Sequence, residues 1–260
     1  MYITNNPQVA KIAENAGVNR IFVDMEYLEK EERQGGLDSV KNHHTIEDVK
    51  NIKATLNKAE LLVRINPINE NSEEEINAVI DADTDIIMLP WFHTSKDAET
   101  FIKLVNGRTK TLLLLESNKA VDCLDEILSL NGIDEMYIGL NDLSLCYGMK
   151  FMFQLMADGT VEKLADKIKE KSIPFGIGGI AQIGQGDLPA EYIIREHYRL
   201  GSSSAILSRS FCNTNNVEDY TKIKEIFTEG ITQIRNLENE CVNASESYFI
   251  ENKKALDDKI

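Results

Sequence analysis

Short, nearly uninterrupted apolar runs alternate with longer segments of helical periodicity along the whole chain. The runs are MYIT (1–4), RIFVDMEY (20–27), ELLVRINP (60–67), DIIMLPWF (85–92), TLLLLE (111–116), EMYIGLND (135–142), PFGIGGIA (174–181) and SAILSRSF (204–211). Runs of this kind, each followed by a helical pattern, predict parallel strands buried on both faces. Eight of them, with no GxGxxG or GxxxxGK[ST] loop after the first, favour an α/β (β/α)8 TIM barrel over an open doubly wound sheet. Local punctuation supports the helices. Asn6 is placed to cap a helix that starts at Pro7, carries Val9, Ile12, Ala13 and Ala16 on one stripe, and stops at Gly17. Thr45 with Asp48, and Ser72 with Glu75, have capping-box spacing. Asp187-Leu188-Pro189 opens a further helix that Gly201 closes.

The barrel accounts for residues 1–215. Residues 216–260 form a long helical pattern with a polar tail, expected to pack on the barrel or on a neighbouring subunit. The Met- and Phe-rich segment MKFMFQLMADG (149–159) is a second candidate subunit contact, or equally a part of the chain's own packing.

Composition narrows the partners. The chain has 260 residues, 42% of them hydrophobic, and a formal net charge of −15. That field disfavours nucleic acid and anionic membrane surfaces, so an anionic substrate must be drawn in by local positive charge. Cys123, Cys146, Cys212 and Cys241 form no CxxC pair and read as reduced thiols of a cytoplasmic protein. The N-terminal residues show no basic leader, and no apolar run approaches the ~20 residues of a membrane span.

Barrel enzymes keep their chemistry at the C-terminal ends of the strands. Here those ends carry Asp24, Glu26 and Tyr27; Arg64 and Asn66; Pro90, Trp91 and His93; Glu116 and Ser117; Asn141 and Asp142; and Ser208, Arg209 and Ser210. Glu116 ends a run of four leucines, and a carboxylate there is costly to desolvate unless it is paired or binds a cation. Asp142 on the adjacent strand would lie close by. Two such acids repel each other unless a divalent ion sits between them, and carboxylate oxygens plus water suit Mg²⁺ or Mn²⁺. The alternative is separate pairing of each acid with a basic side chain, Arg64 foremost.

The succession FVDME, LVRINP, IIMLP, LLLLES and GIDEMYIGLNDLSLCYG resembles the HpcH/HpaI family of class II pyruvate aldolases and citrate lyase beta-subunits, from Asn5 to about Phe211. The most specific piece is IGLNDLS followed by Tyr147-Gly148. The resemblance implies a metal-dependent carbon–carbon lyase that works through a pyruvate enolate. Its substrate is a small anionic 2-oxo acid or an acyl-CoA relative, and the enzyme is expected to be a homo-oligomer. Glu116 and Asp142 match the family's metal ligands. Arg64 matches the arginine at the substrate's oxo or enolate oxygen, the alternative being a structural ion pair with Glu26 or Glu116, and with Asp24 and Glu26 makes up the expected catalytic group. The amides of Asn141 and Asp142 match the site of a substrate carboxylate. A citrate lyase beta-like CoA-ester lyase and a catalytically silent metal-binding barrel are the alternatives.

Two positions depart from the family pattern. Tyr27 stands where the aldolases have an acid–base histidine, and with an ordinary pKa near ~10 it is a poor base. His93, His43 and His44 are stand-ins that also read as solvated loop residues. Leu114 replaces a glutamine two residues before the metal glutamate. In the citrate lyase branch an acidic strand-two end is followed by a lysine and an arginine, echoed here by Lys30 and Arg33 before Gln34-Gly35-Gly36. With Tyr27 they are candidate substrate contacts. GIGGIAQIGQG holds five glycines between Gly176 and Gly186, which suggests either a phosphate cradle beside Arg209 or a tight turn without a ligand.

Overall fold

The computed structural model describes residues 1–28, 44–214, 217 and 219–260. Its strands are β1 (Tyr2–Ile3), β2 (Arg20–Asp24), β3 (Glu60–Arg64), β4 (Ile86–Leu89), β5 (Lys110–Leu115), β6 (Glu135–Ile138), β7 (Phe175–Ile180) and β8 (Ser204–Leu207). They pair in parallel and close in chain order, with β1 meeting β8. Around them lie α1 (Pro7–Asn15), α2 (Ile46–Thr55), α3 (Ser72–Asp81), α4 (Ser95–Val105), α5 (Asn118–Asp122) and α6 (Leu124–Ile127). They are followed by α7 (Leu140–Cys146), α8 (Gln154–Ala157), α9 (Thr160–Glu170), α10 (Ala190–Leu200), α11 (Tyr220–Val242) and α12 (Glu246–Asp257). The chain is therefore a (β/α)8 barrel with C-terminal helices. No described helix is long and apolar enough to cross a membrane.

Strand alternation divides each apolar run between two cores. In LLLL, Leu113 and Leu115 face the helices, whereas Leu112 and Leu114 face the barrel axis with Phe22, Leu62, Met88 and Tyr137. Full burial of one such leucine is worth about 1.5–3 kcal/mol, so both faces of the strand hold it in place. Glu116 continues the inward phase past the last paired residue.

The barrel interior is layered. At the N-terminal mouth Arg20 donates both terminal nitrogens to Glu135 at 2.6 Å and its Nε to Glu60 at 2.8 Å, and Lys110 reaches Glu60 at 2.7 Å. Burial works against the charge on Arg20, but Glu135 and Glu60 outweigh it and hold the guanidinium above its ordinary pKa. Above this ionic layer sits the apolar one. Tyr137 crosses it: its hydroxyl donates to the Ile177 and Gly178 carbonyls and accepts from the Ile206 amide. Gly176 makes room for the ring, since a Cβ there would lie 2.3 Å from Tyr137 Cε2 and 2.3 Å from Ser204 Oγ.

Most of the predicted caps form. Asn6 Oδ1 accepts from Gln8 and Val9, Pro7 is the first helical residue, and Thr45 with Asp48 closes a capping box. Ser72 and Glu75 do not. Asn71 is the cap position of α3 and makes no side-chain cap bond; Ser72 Oγ accepts from the Asn69 amide, and Glu75 turns to Asn66. Asn69 has pulled the helix start one residue off the expected frame. In the 149–159 segment Phe153, Leu155 and Met156 are buried in the chain's own core. The long helix α11 lies against α1 and α10, and its Phe227 meets Tyr2 edge-to-face at 4.8 Å.

One loop closure carries a pH signature. Glu14 Oε1 accepts the amides of Asn57, Lys58 and Ala59 at 2.7–3.0 Å, and Lys11 binds Oε2 at 2.7 Å. Burial alone would push this carboxyl up, but the three amides and the ammonium outweigh it and hold the pKa at about 2. Because the folded value is depressed, the stabilisation is present above the unfolded value near ~4.3 and is lost as pH falls through about 2. Glu14→Gln is expected to cost about 2 kcal/mol at neutral pH. In urea denaturation series the gap between wild type and variant should close on acidification towards the folded value.

Candidate active site

The third interior layer lies at the C-terminal mouth. Asp24 and Arg64 are direct neighbours in the β2–β3 register and share the inward phase. Arg64 donates Nε to Asp24 Oδ1 and Nη2 to Oδ2, both at 2.8 Å, and its Nε lies 3.3 Å from Glu26 Oε2. Asp24 is fully buried and Glu26 nearly so. The guanidinium carbon sits 5.5 Å from the Phe22 ring centroid, so the arginine rests on the apolar layer. Burial opposes its charge, yet the attraction of Asp24 and Glu26, and then of Glu116, keeps Arg64 well above its ordinary pKa. It is a permanent cation, and the acid after β5 acts on it.

Glu116 is 5% exposed, and its Oε1 accepts the Trp91 amide at 3.0 Å. Trp91 has φ +46°, a left-handed conformation that a bulky residue rarely takes. Here it turns the amide of the residue after Pro90 towards the carboxylate. His93 Nδ1 meets Ser117 Oγ at 3.1 Å, while Ser117 donates to the Phe92 carbonyl at 2.8 Å. The serine's one proton is thus committed to Phe92, which makes His93 Nδ1 the donor in their contact. These bonds lock the ends of β4 and β5 together. On the other side, Gly139 donates its amide to Leu115 and leaves space for the acid. A Cβ on Gly139 would lie 2.9 Å from Glu116 Cβ and 3.1 Å from its Oε2.

Asp142 is the third residue of α7, 7% exposed, and its Oδ1 accepts from Asn141 Nδ2 at 3.2 Å. A carboxylate in the first turn suits the helix dipole. Among the described residues no group of three or more His, Cys, Asp or Glu side chains could hold a metal. The donor chemistry fits a divalent ion all the same. Glu116 and Asp142 are hard oxygen donors at the ends of neighbouring strands, the side-chain-free Gly139 follows β6 between them, and Mg²⁺ takes few protein ligands and keeps several waters.

The remaining expected residues are distributed unevenly. Asn66 Oδ1 accepts the amides of Tyr27 and Leu28, both at 3.0 Å, and its Nδ2 donates to Glu75 at 2.8 Å. The start of the loop after β2 is fixed in this way, but the Tyr27 side chain itself is 60% exposed. Lys30, Arg33, Gln34-Gly35-Gly36 and His43 lie outside the described residues. His44 comes to the rim, where its Nδ1 accepts the Asp24 amide at 3.0 Å. Leu114 packs in the apolar layer. Gly176, Gly178 and Gly179 belong to β7 itself, where Gly176 serves the Tyr137 ring. Trp91, Gly139 and Asn66 were not singled out as site residues in the sequence. A proline before a strand-end aromatic, and the glycine inside IGLND, were the available signals.

The HpcH/HpaI aldolase/citrate lyase family model matches residues 2–152. No curated protein matches the chain. Among solved structures, an HpcH/HpaI aldolase from Desulfitobacterium hafniense DCB-2 superposes with TM-score 0.63 at 16% identity, covering 86% of this chain and 92% of that one. An HpcH/HpaI aldolase/citrate lyase family protein from Burkholderia cenocepacia J2315 superposes with TM-score 0.64, also at 16% identity, covering 86% and 94%. At that identity the superpositions speak for the fold, and the family match spans more than half of the sequence. The chain belongs to the HpcH/HpaI aldolase/citrate lyase family.

Proposed function

We propose that this protein is a divalent-metal-dependent carbon–carbon lyase of the class II aldolase type. It would cleave or form the aldol adduct of a small 2-oxo acid. The observation that carries the reading is the buried, permanently charged Arg64, clamped by Asp24 and under the influence of Glu116 at the mouth where barrel enzymes react. A family whose members are aldolases and citrate lyases adds the reaction class.

Glu116 and Asp142 would hold the metal, which supplies Lewis-acid polarisation of the oxo group when bound. Arg64 offers a fixed cation to the oxygen on which negative charge develops, and the bidentate bond to Asp24 fixes its orientation beforehand. Asp24 and Glu26 compensate that cation before substrate arrives. Asn141 and Asp142 stand in the first turn of α7, where the helix dipole favours negative charge, and a substrate carboxylate suits that end. His44, tied to Asp24 through Nδ1, places an imidazole beside the strand-two acids for proton transfer in the absence of the histidine that Tyr27 replaces.

The exposed Tyr27 and the apolar Leu114 give weight to a second reading, a barrel that binds the metal without turnover. One experiment separates them. Pyruvate incubated with the protein and Mn²⁺ or Mg²⁺ in heavy water is expected to gain methyl deuterium, followed by NMR, and to stop doing so in Glu116→Gln. Saturable metal binding with no exchange selects the silent barrel. Exchange that survives Glu116→Gln removes the proposed metal role.

A further inference from the structure

Among the described residues, four other than glycine have left-handed backbones: Asp83, Trp91, Asn106 and Ser172. Asp83, Asn106 and Ser172 stand just past the ends of α3, α4 and α9, where a left-handed residue ordinarily terminates a helix. Trp91 differs on both counts. It is bulky, and it lies in the link from β4 to α4, where no helix ends. A strained residue of this kind persists only where its surroundings determine it more than once, and such residues gather at functional sites.

Both flanks of Trp91 are held. Pro90 and Phe92 are buried, Phe92 in the outer core. The Phe92 carbonyl accepts from Ser117 Oγ at 2.8 Å, the His93 amide donates to Asp97 Oδ2 at 3.1 Å, and Thr94 closes a capping box with Asp97 at the start of α4. The His93 ring, in contact with Ser117 Oγ, meets the indole edge-to-face at 5.0 Å. Between these fixed neighbours the N–H of residue 91 is directed at Glu116 Oε1, 3.0 Å away.

We propose that Trp91 is a positioning residue for the metal acid: its left-handed backbone, acting through the amide, sets the direction in which Glu116 presents its carboxylate. The inference rests on the reading of Glu116 as a metal ligand and concerns how that ligand is held. A carboxylate that accepts a fixed amide keeps one orientation before the ion arrives, and supporting bonds of this kind govern metal affinity. Gly139 limits the acid from the other side, where a Cβ would lie 3.1 Å from Oε2. The bond to Glu116 is made by the main chain, so the type of residue 91 acts through the backbone conformation it tolerates. Glycine takes a positive φ readily, whereas a β-branched residue there is a genuine outlier.

That difference supplies the test. Trp91→Val is expected to weaken Mn²⁺ binding about 10- to 100-fold, read by electron paramagnetic resonance of free Mn²⁺. Trp91→Gly should recover most of that loss, although it lacks the indole just as the valine variant does. A second measurement needs no change at residue 91. Trp91 is the only tryptophan in the chain, so the whole protein labelled with ¹⁵N-tryptophan shows one backbone amide signal. That amide is expected to exchange slowly with solvent in the unaltered protein and faster in Glu116→Ala, where its acceptor is gone. Exchange as free as that of a solvated amide, equal weakening in the valine and glycine variants, or a folded Trp91→Val that binds like the unaltered protein would each overturn the proposal. Mn²⁺ binding indifferent to Glu116→Gln overturns the reading of Glu116 as a ligand, and the inference with it. Binding that depends on Glu116 but not on the backbone at residue 91 overturns the inference alone.

Discussion

Arg64→Ala is expected to abolish pyruvate deuteration and to destabilise the barrel by about 3–5 kcal/mol, the cost of leaving one half of a buried ion pair behind. Asp24 is fully buried and receives two of the guanidinium nitrogens, with Glu26 in range of the same group. Removing the cation takes from two buried acids the guanidinium that both of them contact. The loss of stability and the loss of chemistry separate in a double variant. Arg64→Met with Asp24→Asn removes both charges of the closest pair and should recover most of the stability in urea denaturation, but none of the exchange. Exchange retained by either variant would remove Arg64 from the reaction.

Gly139→Ala is expected to weaken Mn²⁺ binding by about 10- to 100-fold, the usual effect of disturbing the immediate support of a metal ligand. The new methyl would overlap Glu116 Cβ and press on Leu114 Cδ1, 3.1 Å away. Overpacking of that kind also costs about 1–3 kcal/mol. Leu114→Ala in the same chain relieves one of the two contacts but opens a core cavity worth about 2–5 kcal/mol, so stability should not return and the affinity, measured by electron paramagnetic resonance of free Mn²⁺, should stay low. Unchanged affinity in Gly139→Ala would show that Glu116 is free to shift, or that it is not a ligand.

The architecture and half of the mouth were legible because they depend on local pattern. Apolar runs that face both ways report parallel strands, and their last inward positions report the rim, which is how Asp24, Arg64 and Glu116 stood out. Thr45 and Asp48 were readable for the same reason: a capping box lies within four residues. Ser72 and Glu75 had that spacing too, but Asn66 lies within reach in space and takes the Glu75 carboxylate. Gly176 looked like loop punctuation because the ring that needs its space is on another strand. Arg20, Glu60, Lys110 and Glu135 open their strands with nothing in the local pattern to link them. Only closure of the barrel turns their side chains onto one another. Trp91 was visible as an aromatic at a strand end, yet its role lies in its backbone amide, which no residue type announces.

That lower quartet has a consequence for proton affinity at the other end. Two positive and two negative side chains cancel, so the far end contributes little net potential. Asp24 lies four positions along β2 from Arg20, about 13 Å at the usual rise. At an effective dielectric of about 20, a single uncancelled charge over that span amounts to about 1.3 kcal/mol, roughly one pKa unit. Neutralising one member, as in Glu135→Gln, would turn the quartet into a remote dial. It would tune the acidity of reacting groups that it never touches.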